Sequence, residues 1–283
     1  MVSAADVPKP FLWRIEGPKP CYIFGTIHLP NPEVTKLSPA TAKAVESIDA
    51  LFTEVPLDMQ DQLKASMAMM GQESLKQVLP KDLYDRAGAE LKRINPALTL
   101  QPLDNLKIWA LAVMIPLLEE QLKNPAGQAL DAILFARAKK SGKEAAGIET
   151  IDEQVKLFDV FSKEEQIIML RATLDDMEKT RKEGRSPLAE MQKAYLSGDL
   201  DFLDKTLNEW MTELDPKLVA RFVDAFFIQR NHVMAERIAA KIKAAPGKSQ
   251  FFAIGAGHLI GKEGVTALLE KQGFKVTRVV ETP

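Results

Sequence analysis

The chain has three histidines in 283 residues. Two of them recur in one local setting, "CYIFGTIHLP" at 21–30 and "FFAIGAGHLI" at 251–260, each an apolar run followed by Gly-x-x-His. With 15 glycines in the chain, a given histidine has Gly three positions earlier by chance about one time in twenty. The spacing implies a strand that ends at Gly25 or Gly255 where the backbone turns tightly, presenting His28 or His258 at the carboxyl edge of a sheet, where α/β proteins bind ligands. An imidazole there serves as a metal ligand or a general base; the competing reading is two structural histidines, each satisfied locally.

Two acids end apolar runs in the same way. Glu54 follows Leu51 and Phe52 in "ALFTEVPL" and shares the face of Phe52 by alternation, so it needs a cation, a metal or a donor. Glu149 ends "AAGIET"; its alternative role is a helix N-terminal acid, since Thr150 opens a capping box. Arg230 falls on an apolar helical stripe with Val219, Val223, Phe226 and Met234. A guanidinium there either pairs with an acid or ligand, or packs its stem and sends its head to solvent. His232 lies off that stripe and reads as a surface residue.

Two histidines and one acid from three strand ends give a three-ligand site with an open position for water. The spacing is non-local and matches no compact zinc signature. "GAGHLIG" imitates a dinucleotide turn, but its third Gly is one residue late and His258 projects where a pyrophosphate would lie. "PGKS" lacks the leading Gly of a phosphate loop and precedes its strand. There is no Gly-x-Ser-x-Gly elbow.

These residues must be positioned by a sheet. Strand signals fall at 11–15 and 22–27, a hairpin about "EGPKP", then at 50–55, 98–103, 145–149, 251–255 and 275–280. The remainder of 58–245 reads as helix. Ser38-Pro39 and Asp215-Pro216 are helix starts, Asp104 is expected to cap the helix running to about 122, and Thr150 and Ser162 open capping boxes that occupy Glu153 and Glu165. The expectation is an α/β fold: one domain over 10–283, a central mixed β-sheet of six or seven strands, and a large, mostly helical middle segment lying over it like a lid or second lobe.

Net charge is −2, which gives no electrostatic case for nucleic acid. The longest apolar run, 108–118, is too short to span a bilayer and contains Pro116. Cys21, the one cysteine, reads as a small core residue. Residues 1–9 read as a stub whose Val-Ser-Ala-Ala run suits a removed leader, implying a periplasmic or secreted bacterial protein, with a cytoplasmic address also compatible.

The segments "YIFGTIHLP", "FTEVPL", "GIETIDEQ", "QRNHVMAERI" and "FFAIGAGHLIG" resemble the landmarks of the TraB/GumN family, which is related to the TIKI proteases and more distantly to erythromycin esterases and haem-binding ChaN proteins. The resemblance runs from about Phe11 to Val280. It implies a metal-dependent hydrolase acting on a peptide or protein, with His28, Glu54 and His258 as the metal or catalytic centre and Glu149 and Arg230 beside it. A divalent Mn, Co or Zn ion suits such ligands. Two other readings stand beside it: a metal-independent, esterase-like hydrolase with a histidine base, and a non-catalytic binder of metal or haem.

Overall fold

The computed structural model describes residues 10–280 except 210, 212 and 213; the expected stub at 1–9 lies outside the described residues. Six strands form one mixed sheet: β1 (Leu12–Ile15), β2 (Cys21–Thr26), β3 (Ala50–Thr53), β4 (Glu144–Gly147), β5 (Gln250–Gly255) and β6 (Val276–Arg278). Their spatial order is β4-β3-β5-β2-β1-β6. β4, at one edge, and its neighbours β3, β5 and β2 run parallel, and β1 pairs antiparallel with both β2 and β6. The expected α/β class and strand number hold.

Near-continuous apolar runs make the central strands, because both faces are covered. Ile23, Phe252 and Ile254 pack on one face under the helices Pro187–Ser197 and Gln229–Ala244, with Met191, Met234 and Ile238. Phe24, Leu51 and Phe251 pack on the other face under Pro39–Ser47 and Leu130–Lys140, with Val45 and Leu134. A third apolar cluster belongs to the helical middle alone: Leu83, Leu91, Leu111, Ile115 and Leu170 knit the helices Lys81–Ile94, Ile108–Lys123 and Lys163–Lys182. The ring of Trp109 stacks on Phe158 at 4.0 Å between centroids, and Phe158 meets Phe226 at 4.7 Å. That stack joins the third cluster to the long helical run that carries Arg230.

The expected capping at Ser38, Thr150, Ser162 and Asp215 is present. Two expectations fail. Residues 98–103 form no strand; Gln101–Leu103 is a 3₁₀ turn, and Leu100 is buried in the helical cluster, so the apolar run served packing. Asp104 does not cap the helix beginning at Ile108, whose start has no side-chain cap; it accepts from Lys76 N–H at 3.0 Å, at the start of the helix Leu75–Val78.

The glycines of the two Gly-x-x-His turns also act differently from the expectation. Neither has positive φ. They supply room: a Cβ on Gly25 would sit 2.9 Å from both Phe11 Cβ and Leu259 Cδ1. Gly147 is tighter still. A Cβ there would lie 2.5 Å from Glu149 O and 2.7 Å from Pro56 N, atoms of the two chain segments that bear the acids. Gly147→Ala is therefore expected to push these segments apart and destabilise the protein by about 1–3 kcal/mol. Chemical denaturation measures this, and a variant as stable as wild type would refute the packing argument.

Candidate active site

Each of the four parallel strands delivers one of the expected residues from its carboxyl end. In spatial order these are Glu149 after β4, Glu54 after β3, His258 after β5 and His28 after β2. The ladder between β3 and β4 continues past the strands: Glu149 N–H donates to Glu54 O at 2.7 Å. Two carboxylates thus leave adjacent backbones and are both buried.

Arg230 holds them together. Its Nη2 lies 2.6 Å from Glu54 Oε2 and 2.6 Å from Glu149 Oε2, and its Nε donates to Glu149 Oε1 at 3.1 Å. The side chain is only 11% exposed, so its head does not reach solvent. Gln154 Nε2 donates to both acids, at 3.0 and 3.2 Å, and Gly255 N–H donates to Glu54 Oε1 at 2.6 Å. Burial alone would raise the Glu54 pKa; the charges of His258, Arg230 and His28 and the Gly255 N–H outweigh it and hold the carboxyl far below its ordinary range.

The helix bearing Arg230 is interrupted by a π-helical stretch, Asp224–Ile228. Such bulges shift the phase of the side chains that follow. Arg230 Nη1 donates to Phe226 O at 3.3 Å within that stretch.

His258 is buried and its tautomer is fixed by its neighbours. Asn231 Nδ2 donates to Glu263 O at 2.8 Å, so Asn231 Oδ1 faces His258 Nδ1 at 2.6 Å and accepts its proton. Nε2 then carries the lone pair, and Arg230 Nη1 donates to it at 3.0 Å. Desolvation, with a smaller contribution from the Arg230 charge, lowers the imidazole pKa to about 4 against the pull of Glu54. Phe227 packs against this ring at 5.4 Å between centroids.

His28 is half exposed. Its Nδ1 lies 3.2 Å from Asp131 Oδ1, and Asp131 above all raises its pKa to about 9, an effect that solvent at a half-exposed ring weakens. Its Nε2 faces the rest of the site. A Cβ built on Gly255 would stand 3.0 Å from Glu54 Oε1, 3.5 Å from His258 Cδ2 and 3.9 Å from His28 Nε2. Two imidazoles about 230 positions apart in sequence and one carboxylate therefore surround a space kept open by the missing side chain of Gly255.

The donor set suits a divalent cation. Both histidines turn Nε2 inward with an oxygen beside Nδ1, the arrangement found around metal-ligating histidines. Glu54, Glu149 and Asp131 oppose one guanidinium, so the site carries two uncompensated negative charges when both rings are neutral. The arrangement is nonetheless closed: Arg230 occupies His258 Nε2 and Glu54 Oε2, and among the described residues no group of three His, Cys, Asp or Glu is set out to hold an ion.

Sequence reasoning placed all five of these residues at one site. It missed Asp131, Asn231, Gln154 and the Gly255 N–H. His232 is exposed and pairs with Glu263, as a surface residue should. Glu153 fills its capping box and also binds Arg237 at 2.6 Å.

Adjacent parallel strands that converge two imidazoles and two carboxylates at one sheet edge, around the bare backbone of Gly255, define an α/β protein with a strand-end site. The chain belongs to the TraB/PrgY/gumN family, whose family model matches residues 11–278. It is similar to Metalloprotease TIKI2 of Danio rerio, 26% identical over 323 aligned positions that take in 97% of this chain and 62% of that protein. Metalloprotease TIKI homolog of Nematostella vectensis is 25% identical over 320 positions, 95% of this chain and 67% of its own. Metalloprotease TIKI2 of Xenopus tropicalis is 27% identical over 310, covering 94% and 59%. The chain thus spans about three-fifths to two-thirds of the length of these relatives. No solved structure matches it. Among the described residues no helix is long and apolar enough to cross a membrane.

Two measurements probe the site. Arg230→Met leaves two buried carboxylates unneutralised and is expected to cost about 3–5 kcal/mol; Glu54→Gln added to it is expected to restore part of the loss. A single variant as stable as wild type in urea would contradict this. The second is a pH profile of metal-free protein. Unfolded imidazole titrates near 6.5, folded His258 near 4, so its contribution is whole above pH 6.5 and is lost as pH falls through 4. Tm is expected to drop from pH 6.5 to 5, less so in His258→Gln. His28, shifted the other way, stabilises below 6.5 and loses its contribution as pH rises through about 9. Identical acid limbs in the two proteins would rule out a buried neutral His258.

Proposed function

We propose that this protein is a hydrolase, and more specifically a divalent-metal-dependent peptidase. One observation carries the reading: His28 Nε2, Glu54 Oε1 and the His258 ring all border the space at Gly255, inside a site with an excess of negative charge. The metalloprotease names of its relatives support it. His28, Glu54 and His258 would hold the ion, with Mn, Co and Zn all suited to nitrogen and oxygen ligands. When bound, it polarises a carbonyl and acidifies water.

The chain's own residues do the rest. His258 keeps its proton on Nδ1 through Asn231, so Nε2 is available as soon as Arg230 Nη1 withdraws. Arg230 neutralises Glu54 and Glu149 until then and afterwards offers N–H groups to the oxyanion that develops on the substrate. Glu149, released from Arg230, takes the proton of the attacking water and passes it to the leaving nitrogen. Phe227, beside His258 and partly exposed, forms an apolar wall for the substrate.

A second reading is favoured by the Asp131–His28 pair. A half-exposed imidazole backed by a carboxylate is a general base without any ion, as in an esterase-like reaction. Chelation separates the two. With unstructured polypeptides as substrate, the peptidase reading expects activity that EDTA abolishes and Mn²⁺ restores, and Glu149→Gln slower by about 10²–10⁴-fold with Mn²⁺ affinity nearly unchanged. Full ester hydrolysis after exhaustive chelation would replace it with the second reading.

A further inference from the structure

His28 differs from the other residues at this edge in how it is held. It lies in the loop after β2, outside any strand or helix. Glu54, Glu149 and His258 each have aligned hydrogen-bond partners. The His28 loop is braced on one side by Gln192, which accepts from Asn31 Nδ2 at 3.3 Å, and on the other by residues 120–131. Asn31 Nδ2 donates to Glu120 Oε1 at 2.8 Å. A Cβ on Gly127 would stand 2.4 Å from Pro30 O, so the two backbones touch. Asp131 completes the brace on the imidazole itself.

Asp131 sits in the first turn of the helix Leu130–Lys140, where an acid needs no explanation beyond the helix dipole. Its Oδ1 behaves differently from such an acid. That oxygen is buried, has no fully aligned donor among the described residues and lies 3.2 Å from His28 Nδ1. The separation is that of a hydrogen bond whose alignment is incomplete, and a small turn of the ring completes it. Rotation about Cβ–Cγ is soft for an aromatic side chain, so the contact closes into an Nδ1–H···Oδ1 bond at little cost.

We propose that Asp131 is the positioning residue of His28: it takes the Nδ1 proton as a hydrogen bond and so holds Nε2, with its lone pair, toward Glu54 and the opening at Gly255. This rests on His28 being a working residue of the site, as ligand or as base. The role needs an acceptor at position 131 more than it needs a charge, and that separates it from a structural or dipole role. The arrangement also mirrors His258, whose Nδ1 is held by Asn231. Both rings then keep Nδ1 against an oxygen and leave Nε2 for the site, from neighbouring strands.

The test uses the full chain with Mn²⁺ alone as probe. By calorimetry, Asp131→Ala is expected to weaken Mn²⁺ binding by about 10–100-fold, and Asp131→Asn, which keeps an oxygen acceptor, to recover most of that loss. A second readout needs no ion: long-range ¹H–¹⁵N spectra of metal-free protein with His28 neutral should show the Nδ1–H tautomer in wild type and Asp131→Asn, and its loss in Asp131→Ala. Where Asp131→Ala fails to fold, Asp131→Leu replaces it as the variant without an acceptor. Wild-type affinity and an unchanged tautomer in the variant without an acceptor would overturn the proposal. Wild type that takes up no Mn²⁺ would overturn the metal-dependent reading instead, and the tautomer would still decide for or against Asp131.

Discussion

Burying two carboxylates side by side is the constraint around which the rest of this molecule is arranged. Glu54 and Glu149 leave neighbouring strands whose backbones are bonded to each other, so neither can move away from the other. Without a counter-charge the pair would be protonated or the edge would unfold. Arg230 is the counter-charge, and its position sets demands elsewhere. The helix that carries it must cross the sheet edge at the right height. Its side chain must leave an otherwise apolar stripe inward, and the π-helical stretch just before it adjusts the phase. The aromatic stack from Trp109 through Phe158 to Phe226 then fixes that stretch against the helical middle.

Much of this was legible because strand ends are. Apolar runs that stop at Gly-x-x-His, Glu-Val-Pro or Glu-Thr announce side chains at a carboxyl edge, and the parallel order of β4, β3, β5 and β2 brings those edges together. Arg230 was legible as a charge on an apolar stripe. The supporting residues were not, because each has an innocent local explanation. Asp131 looks like a first-turn acid and Gln154 like an ordinary helix residue, while Asn231 stands next to Arg230 with no pattern of its own. Their roles depend on which backbones approach, and sequence spacing carries no information about that. The apolar run at 98–103 misled for a related reason: Leu100 faces a helical core, and a short buried run has no period to tell strand from turn. The glycines were found for the wrong cause. They matter as absent Cβ atoms at Phe11 and at the Glu54 carboxylate, not as flexible hinges.

The helical middle is more than a cover. Its own apolar cluster keeps it a packed body, and it reaches the sheet edge at two places. One is the aromatic stack. The other is the segment from Glu120 to Gly127, which meets the loop that bears His28, while Asp131 belongs to a helix packed on the sheet itself. Both contacts end on residues next to the reactive groups. A shift of this body relative to the sheet would therefore disturb the helix of Arg230 and the loop of His28 together, and leave Glu54 and Glu149, tied by backbone bonds, in place.

That division explains how a site can be closed and yet disposed to take a cation. The fixed part is negative: two carboxylates on the sheet with a third, Asp131, at its margin. The part that comes from outside the strands is positive or neutral: one guanidinium on a bulged helix and one imidazole on a loop. Arg230 satisfies the carboxylates and blocks the His258 lone pair with the same group, through Nη2 and Nη1. A cation arriving at this edge would gain the attraction of the carboxylates and would repel the guanidinium that neutralises them. On the proposed metal-dependent reading, the stability of this edge and its affinity for a cation would be set by a single competition, between the ion and the guanidinium for His258 Nε2 and the Glu54 carboxylate.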